Sequence, residues 1–183
     1  MVKDDDSALV EAALGGDGEA FGELVRRYQG PIFNLAARIT GSADDAMDVA
    51  QTTFLKAYDR LESFDPSRRF FSWLYGIGVH EALNWRQRQG GRDAPLPIRF
   101  DPPSGAADPE HELATKQREA RFASALARLQ PSDRAVLSLR HFQELGYADI
   151  ARVLDCSVGQ VKSRLFDARR RLRAAWLDGG GDR

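Results

Sequence analysis

Residues 149–173 read DIARVLDCSVGQVKSRLFDARRRLR, and this stretch predicts two helices joined by a short turn. The first helix ends at Asp155-Cys156-Ser157, and a longer helix follows it. Ser157 and Gln160 have the spacing of a capping box, in which each side chain satisfies a backbone donor at a helix start. The sequence therefore predicts a helix-turn-helix near the end of the chain.

The second helix of this pair separates into an apolar stripe and a basic face. The predicted buried stripe is Val158, Val161, Leu165, Ala168 and Leu172. Residues predicted to face elsewhere are Gln160, Lys162, Ser163, Phe166, Arg169 and Arg173. A basic second helix suits the DNA major groove, with its first turns at base edges and its later arginines at phosphates. A helical hairpin with a solvated basic surface has the same pattern, so both interpretations remain open at this point.

Composition excludes several classes of protein. Of 183 residues, 43% are hydrophobic and 29% charged, as in globular proteins, and no apolar run is long enough for a membrane helix. The start of the chain is acidic, unlike a secretion signal. Cys156 is the only cysteine, which excludes an internal disulfide and a cysteine-rich zinc site. We therefore expect a cytoplasmic protein without membrane insertion.

Charge and proline content divide the chain into parts. The formal balance is −4 over residues 1–88, −3 over 89–112 and +6 over 113–183. Five of the eight prolines lie between Gln89 and Glu112, which predicts a flexible linker. The predicted organisation is a domain at 1–90, a linker at 91–112, a domain at 113–176 and a disordered tail at 177–183. A basic C-terminal part suggests attraction to a polyanion such as nucleic acid.

Both domains are predicted to be all-α, because neither shows alternating β-branched runs. In the N-terminal bundle, a helix from about Asp44 to Leu61 is predicted to bury Met47, Ala50, Phe54, Tyr58 and Leu61. A fourth helix is predicted from about Arg69 to Gln89. In the C-terminal domain, Gly146 is predicted to close a turn in a left-handed conformation.

Three segments resemble motifs of one protein family, and they occur along the chain in the same order as in that family. Residues 155–165, DCSVGQVKSRL, are similar to the recognition helix of bacterial sigma factors of the extracytoplasmic-function (ECF) type. Residues 48–58, DVAQTTFLKAY, resemble that family's helix for binding core polymerase, and residues 70–77, FFSWLYGI, resemble the start of its promoter-melting helix. The resemblance spans residues 7–173. It implies a dissociable RNA polymerase subunit that selects promoters, with a cognate anti-sigma factor as a partner.

The resemblance assigns a docking face for core RNA polymerase. Asp44, Asp48, Gln51 and Leu55 share one side of the third predicted helix, about 120° from its predicted buried stripe. The resemblance implies that this side grips a coiled coil of the largest polymerase subunit. A solvated helix face with one stray leucine is the alternative.

The fourth predicted helix is the candidate for melting the −10 element of promoter DNA. Its aromatic residues alternate with arginines, which suits single-stranded DNA because bases stack on rings while cations hold phosphates. The resemblance implies that the loop at residues 62–67 receives a flipped base. The residues assigned to this role are Phe64, Arg68, Trp73, His80, Asn84 and Arg88. His80 stands where the family usually has asparagine, so base preference is expected to differ unless His80 is a surface residue without a role.

On the recognition helix, the resemblance places contacts with the −35 element at Lys162, Ser163, Arg164, Phe166 and Asp167. A phosphate contact is the alternative for Arg164. Gln160, Arg169 and Arg173 complete the predicted DNA-binding set. Asp167 replaces an arginine that is frequent in the family, and two explanations are open. It accepts a hydrogen bond from a cytosine amino group, or it pairs locally with Lys162 or Arg170, which we favour.

Two other functions fit parts of the sequence. A stand-alone operator-binding regulator would use the same helix-turn-helix as a dimer, but the N-terminal half shows neither a ligand domain nor a dimerisation heptad. A helical enzyme is disfavoured because the three histidines are scattered and no phosphate loop or nucleophile motif is present. We expect no catalytic residue, no metal site and no cofactor.

Overall fold

The computed structural model describes the backbone of residues 6–89 and 109–179, and the side chains of residues 6–89 and 117–179. These parts form eight α-helices and one 3₁₀ turn, and they contain no strand. The predicted all-α class is thereby confirmed. Most of the predicted linker, residues 91–108, lies outside the described residues. No helix within the two described ranges has the length and apolarity needed to cross a bilayer.

Four helices and the 3₁₀ turn make up the N-terminal bundle. They are α1 (Asp6–Leu14), α2 (Gly18–Thr40), α3 (Ala43–Asp59), the turn at Leu61–Ser63 and α4 (Phe70–Arg88). The long helices α2, α3 and α4 pack against one another around a shared core. Helix α2 runs unbroken through Pro31.

Local signals define the ends of α2 and α3. The Asp17 side chain accepts hydrogen bonds from the backbone N–H groups of Glu19 and Ala20, which caps the start of α2. Gly41 ends this helix with a φ of 79°, a left-handed conformation that glycine adopts at low cost. Ser42 then caps α3. These caps fix the tight α2–α3 corner and, with it, the side of α3 that faces the bundle.

The C-terminal domain also has four helices. They are α5 (Pro109–Ala127), α6 (Pro131–His141), α7 (Tyr147–Val153) and α8 (Val158–Asp178). The start of α5 at Pro109 places residues 109–112 in a helix, and not in the predicted linker. Helix α8 continues through Leu177 and Asp178, so it ends two residues beyond Trp176, the predicted end of the domain.

The predicted capping box is confirmed. The Ser157 hydroxyl accepts from the Gln160 N–H at 3.1 Å, and the Gln160 side chain accepts from the Ser157 N–H at 2.8 Å. The buried stripe of α8 contains Val161, Leu165 and Ala168, as predicted. Val158 is exposed, because as the first residue of the helix it lies beyond the edge of the packed surface.

Two predictions about the interior and the turns are wrong. Met47 and Tyr58 are 62% and 57% exposed, because the small side chains of α3 already fill the space next to the bundle. The buried side chains of α3 are Ala46, Val49, Ala50, Thr53 and Ala57. Gly146 has a φ of −67°, so it caps α7 in an extended conformation. The left-handed residue of the α6–α7 loop is Glu144, with a φ of 52°.

The two domains pack directly against each other. Helix α2 lies against α6, and α4 lies against α6 and α7. The α6–α7 loop, residues 142–146, enters this interface. The contact therefore joins α2 and α4 to α6, and it joins α4 also to α7, the helix that precedes α8.

Candidate functional site

The outward side of α3 presents the predicted docking residues. Asp44, Asp48 and Gln51 are exposed, and Leu55 is 60% exposed. The polar members lie in the first half of α3. Negative charge near the start of a helix interacts favourably with the helix dipole. The structure therefore leaves this side available to a partner and brings the four residues together on one helix.

An apolar groove borders these docking residues. It has a volume of about 660 Å³ and lies between α2 and α3. Its lining residues are Phe21, Val25, Gln29, Gly30, Phe33, Met47, Ala50, Gln51, Phe54, Leu55 and Tyr58. Tyr58 closes one end with an edge-to-face contact on Phe21, at 5.0 Å between ring centroids. The side of α3 that is predicted to dock is thus an apolar groove with an acidic rim, and we call it the α3 groove.

Sequence reasoning missed the apolar half of this groove. Met47, Phe54 and Tyr58 have helical spacing, and they were predicted to be core residues on that ground. The signal that could have separated them is the second apolar stripe of α3, Ala46, Val49, Ala50 and Ala57. Two apolar stripes on one helix exceed what a single packed side requires.

Helix α4 carries a second exposed stripe. Trp73, His80, Asn84 and Arg88 follow at intervals of seven, four and four residues, which places them on one side of the helix. Trp73 is half-buried and the other three are exposed. A polar stripe that begins with an aromatic ring offers one surface for stacking and several groups for hydrogen bonds and phosphate contacts. We call it the α4 stripe.

Phe64 and Arg68 lie beside the start of this stripe. Phe64 is buried, and its ring packs at 5.3 Å from Trp73 and 5.7 Å from Phe70. This position suits a support for Trp73 more than a direct contact. Arg68 is exposed and bonds to Asp65 at 3.1 Å. Hydrogen bonds from Ser67, followed by the charge of Arg68, lower the pKa of the Asp65 carboxyl.

The remaining aromatic residues of α4 face the other domain. Phe71 is half-buried and Tyr75 is buried, and both line a cleft between the domains. The Tyr75 hydroxyl donates to the Gln143 side-chain oxygen at 2.6 Å. Burial raises the pKa of Tyr75, so the phenol stays protonated. The aromatic set of α4 therefore divides between the open α4 stripe and the domain interface.

Helix α8 presents the basic face predicted for it. The exposed side chains that we group in this face are Gln160, Lys162, Ser163, Arg164, Phe166, Arg169, Arg170 and Arg173. Phe166 is 68% exposed. Asp167 pairs with Arg170 at 3.2 Å, the local salt bridge that the sequence favoured. Gln160 is engaged in the cap through its side-chain oxygen, which leaves its amide NH₂ for a ligand.

One histidine adjoins this basic face. The Nε2 atom of His141 lies 3.3 Å from an Nη atom of Arg169. Partial burial, followed by the charges of Arg169 and Arg140, lowers the pKa of His141. The imidazole is therefore neutral at pH 7 and able to accept a hydrogen bond from Arg169, which orients this arginine along α8.

Comparisons with known proteins identify the family of this chain. The family model described as Sigma-70 region 2 matches residues 24–92, and Sigma-70 region 4 matches residues 119–172. The ECF RNA polymerase sigma-E factor of Haemophilus influenzae is 37% identical over 90% of this chain and 91% of its own length. The RNA polymerase sigma-H factor of Pseudomonas aeruginosa is 35% identical over 92% of both chains.

Solved structures show the same fold. CnrH, solved in complex with the cytosolic domain of CnrY, aligns with a TM-score of 0.68 at 34% identity, over 97% of this chain and all of that chain. RpoE from Bartonella quintana, solved with the anti-sigma factor NepR, aligns with a TM-score of 0.67 over 85% of this chain and 95% of that chain. At 23% identity, this second likeness concerns the fold alone. From the identity and coverage of its relatives, the chain belongs to the ECF sigma factors of RNA polymerase.

Proposed function

We propose that this chain docks on core RNA polymerase through the α3 groove and directs transcription initiation through the α4 stripe and the basic face of α8. One observation carries the proposal. A large exposed apolar groove and an exposed basic helix face occur in the same chain, on different domains. Such a groove fits a protein partner, whereas a basic recognition helix fits duplex DNA.

The groove and its acidic rim suit an amphipathic helical partner with basic flanks. Met47, Leu55 and Tyr58 would lose most of their water contact on docking, and apolar burial is the main source of binding free energy. Asp44 and Asp48 would steer a positively charged partner. The coiled coil of the largest polymerase subunit, implied by the resemblance, is the partner we propose for this groove.

The α4 stripe suits the −10 element. The ring of Trp73 can stack on an unpaired base, and the positive charges of Arg68 and Arg88 can bind phosphates. Extruding a base costs a few kcal/mol, which stacking and hydrogen bonds can offset. Phe64 acts in this proposal by holding Trp73 in place. His80 and Asn84 supply donors and acceptors for a base edge.

The face of α8 suits the −35 element. Lys162, Ser163 and Arg164 lie in its first two turns, at the depth where a recognition helix meets base edges. Phe166 is suited to apolar contact with a thymine methyl group. Arg169 and Arg173 lie further along and are assigned to phosphates. Asp167 is neutralised by Arg170, so its repulsion of phosphate is reduced.

Control by an anti-sigma factor is the regulation we propose. CnrH and the Bartonella quintana RpoE were each solved with a partner, and the second partner is named as an anti-sigma factor. We propose that this chain is held in the same way. A subunit of this kind supplies recognition while polymerase supplies the chemistry, so we assign no catalytic activity to it. Its place of action is then the bacterial cytoplasm.

Reconstituted transcription tests the proposal. The purified chain is mixed with core RNA polymerase from the source bacterium and with sheared genomic DNA, and new transcripts are mapped. We expect co-elution with core and initiation at a defined set of sites. A chain that binds DNA as a dimer without binding core would support the stand-alone regulator instead and would remove the proposal.

A further inference from the structure

His141, the last residue of α6, lies beside the basic face of α8. Its Nε2 atom lies 3.3 Å from an Nη atom and 3.4 Å from the Nε atom of Arg169. The imidazole is exposed, as is Arg169. An anion that binds to Arg169 on the outside of α8 therefore also comes close to His141.

An aromatic ring joins the same end of α6 to the first turns of α8. The guanidinium carbon of Arg140 lies 5.1 Å from the centre of the Tyr147 ring, and the Lys162 ammonium lies 5.9 Å from it. A cation over an aromatic face is a favourable contact. The end of α6 thus meets the basic face of α8 at two places, near Lys162 and near Arg169.

The contact with Arg169 sets the protonation state of His141 in the free chain. A guanidinium has N–H donors and no acceptor, so the Nε2 atom of His141 accepts and carries no proton. Partial burial, followed by the charges of Arg169 and Arg140, keeps the pKa of His141 below its ordinary value. Protonation of Nε2 would place its new N–H against the N–H groups of Arg169.

The charges that act on His141 are both positive, Arg169 on α8 and Arg140 on α6 itself. Charged groups on the elements packed against α6 are engaged with other residues. These pairs are Asp133 with Arg171, Asp149 with Arg152, Asp167 with Arg170, Glu81 with Lys56 and Arg38 with the Phe142 ring, while Glu144 lines the cleft of Arg27 and Arg69. An external anion would therefore be the first negative charge to act on His141.

A phosphate bound to Arg169 comes within range of the imidazole. The Nε–H and one Nη–H of Arg169 point toward His141, and the remaining N–H groups are directed elsewhere. A bond between arginine and phosphate is about 2.8 Å long, so the phosphate oxygen would lie within about 6 Å of Nε2. A negative charge at this separation favours the protonated form of histidine.

We propose that His141 is a further DNA-binding residue, which binds a proton from solvent and donates a hydrogen bond to the phosphate that Arg169 contacts. The Nε2 atom thereby exchanges Arg169 for a phosphate oxygen. This inference rests on the proposed function, because the phosphate is the one assigned to Arg169. The partner is the backbone of duplex DNA, so the contact adds affinity without sequence preference.

The proposal fixes the direction of a pH effect on DNA binding. The pKa of His141 lies below about 6.5 in the free chain and should rise above this value in the complex. A group whose pKa rises on binding stabilises the complex at low pH, and this contribution is lost as the pH rises through the pKa in the complex. If His141 only oriented Arg169, protonation would break that contact and weaken DNA binding instead.

Fluorescence anisotropy of the full chain with a labelled random-sequence duplex tests the proposal. We expect the affinity to rise about three- to tenfold between about pH 8 and about pH 6, within the limit for one proton bound. His141→Gln should lose most of this rise, whereas His141→Arg should bind at pH 8 as tightly as the wild type does at pH 6. A wild-type affinity that stays constant or falls as the pH is lowered would overturn the inference.

Moving the histidine along α6 gives the matched control. Ser132 is exposed near the start of this helix, about 14 Å from His141 by the helical rise. Ser132→His in the His141→Gln background restores an imidazole to α6 but not the contact with Arg169. This double variant should remain as insensitive to pH as His141→Gln. A restored pH effect would mean that general charge is responsible and would remove the inference.

The imidazole signals of His141, followed by nuclear magnetic resonance with and without the duplex, report the same event directly. We expect the pKa of His141 to rise when DNA binds, and an unchanged pKa would overturn the inference. Failure of the wild-type chain to bind the duplex at any pH would remove the DNA contact assigned to α8 in the proposed function. Binding that is equal in the wild type, His141→Gln and His141→Arg at every pH would remove the role of His141 alone.

Discussion

The α3 groove and the basic face of α8 are both exposed sides of long helices, but they differ in chemistry. The α3 groove is apolar with an acidic rim, and Met47, Leu55 and Tyr58 are its exposed hydrophobic residues. The face of α8 is polar and cationic, and Phe166 is its most exposed hydrophobic residue. Exposed apolar area favours a partner that excludes water, whereas cationic area favours a polyanion and responds to salt.

This comparison predicts that alanine substitutions at neighbouring residues of α8 reduce the free energy of unfolding by different amounts. Leu165→Ala should lower the free energy of unfolding by about 2–5 kcal/mol, because Leu165 is fully buried and its removal leaves a cavity. Phe166→Ala should change this free energy by about 0.5 kcal/mol or less, because its side chain is exposed. Urea unfolding followed by circular dichroism measures both. Equal costs would mean that the two faces of α8 are wrongly assigned.

The α3 groove should behave as a protein-binding surface. Gln51→Ala and Leu55→Ala should each weaken binding to core polymerase by about 5- to 30-fold, as for anchor residues in protein interfaces, without loss of helix content. Surface plasmon resonance with immobilised core measures the affinity. Asp59→Ala is a suitable control, since Asp59 is exposed at the end of α3 and does not line the groove. Normal core binding by both groove variants would remove this surface from docking.

Binding of DNA to the face of α8 should weaken as the salt concentration rises, whereas binding of core polymerase to the α3 groove should change much less. Arg173→Ala should weaken binding to a random-sequence DNA duplex and reduce the slope of log affinity against log salt by about one, the value for one phosphate contact. Fluorescence anisotropy over a salt series measures this slope. Binding to core should show a much smaller slope in wild-type and variant alike. An unchanged slope in Arg173→Ala would mean that this residue does not contact phosphate.

The stability of the C-terminal domain should depend slightly on pH, because the pKa of His141 in that domain is shifted. The pKa of His141 is lowered in the folded chain, so the unfolded state binds more protons once the pH falls below about 6.5, the ordinary value. The contribution of neutral His141 to the free energy of unfolding is therefore fully present above that pH. It should decrease as the pH falls toward the pKa of His141 in the folded chain. His141→Gln should flatten the pH dependence of C-terminal unfolding, measured by hydrogen exchange of α8 amides.

Nuclear magnetic resonance titration gives a direct check of the cause. Arg169→Met should raise the pKa of His141, because it removes the larger of the two repelling charges. A His141 pKa that is unmoved by this change would exclude Arg169 as a cause and leave burial and Arg140.

The α8 face was predictable because its signals are local. The capping box at Ser157 and Gln160 fixes where the helix begins, and the 3.6-residue period then assigns each later residue to a face. Val158 was the exception, since burial at a helix end depends on how far the neighbouring helix extends. The local pairing of Asp167 with Arg170 was also within reach, because both residues lie one turn apart on the same helix.

The α3 groove was only partly predictable. Its acidic rim and Leu55 followed from the resemblance, whereas Met47 and Tyr58 were assigned to the interior. Periodicity shows that these residues share a side of the helix, but it cannot show which apolar side meets the bundle. The close approach of α2 and α4 to the small residues Ala46, Ala50 and Ala57 decides it.

The sequence by itself determined the all-α class, the division into two domains, the helix-turn-helix and its basic face. These properties follow from hydrogen bonds, caps and periodicities that act within about one helical turn. Only the tertiary structure decided which apolar residues stay exposed beside α3 and how the α6–α7 loop meets Arg38 and Tyr75. Those contacts join residues far apart in the chain, and their geometry depends on how whole helices pack.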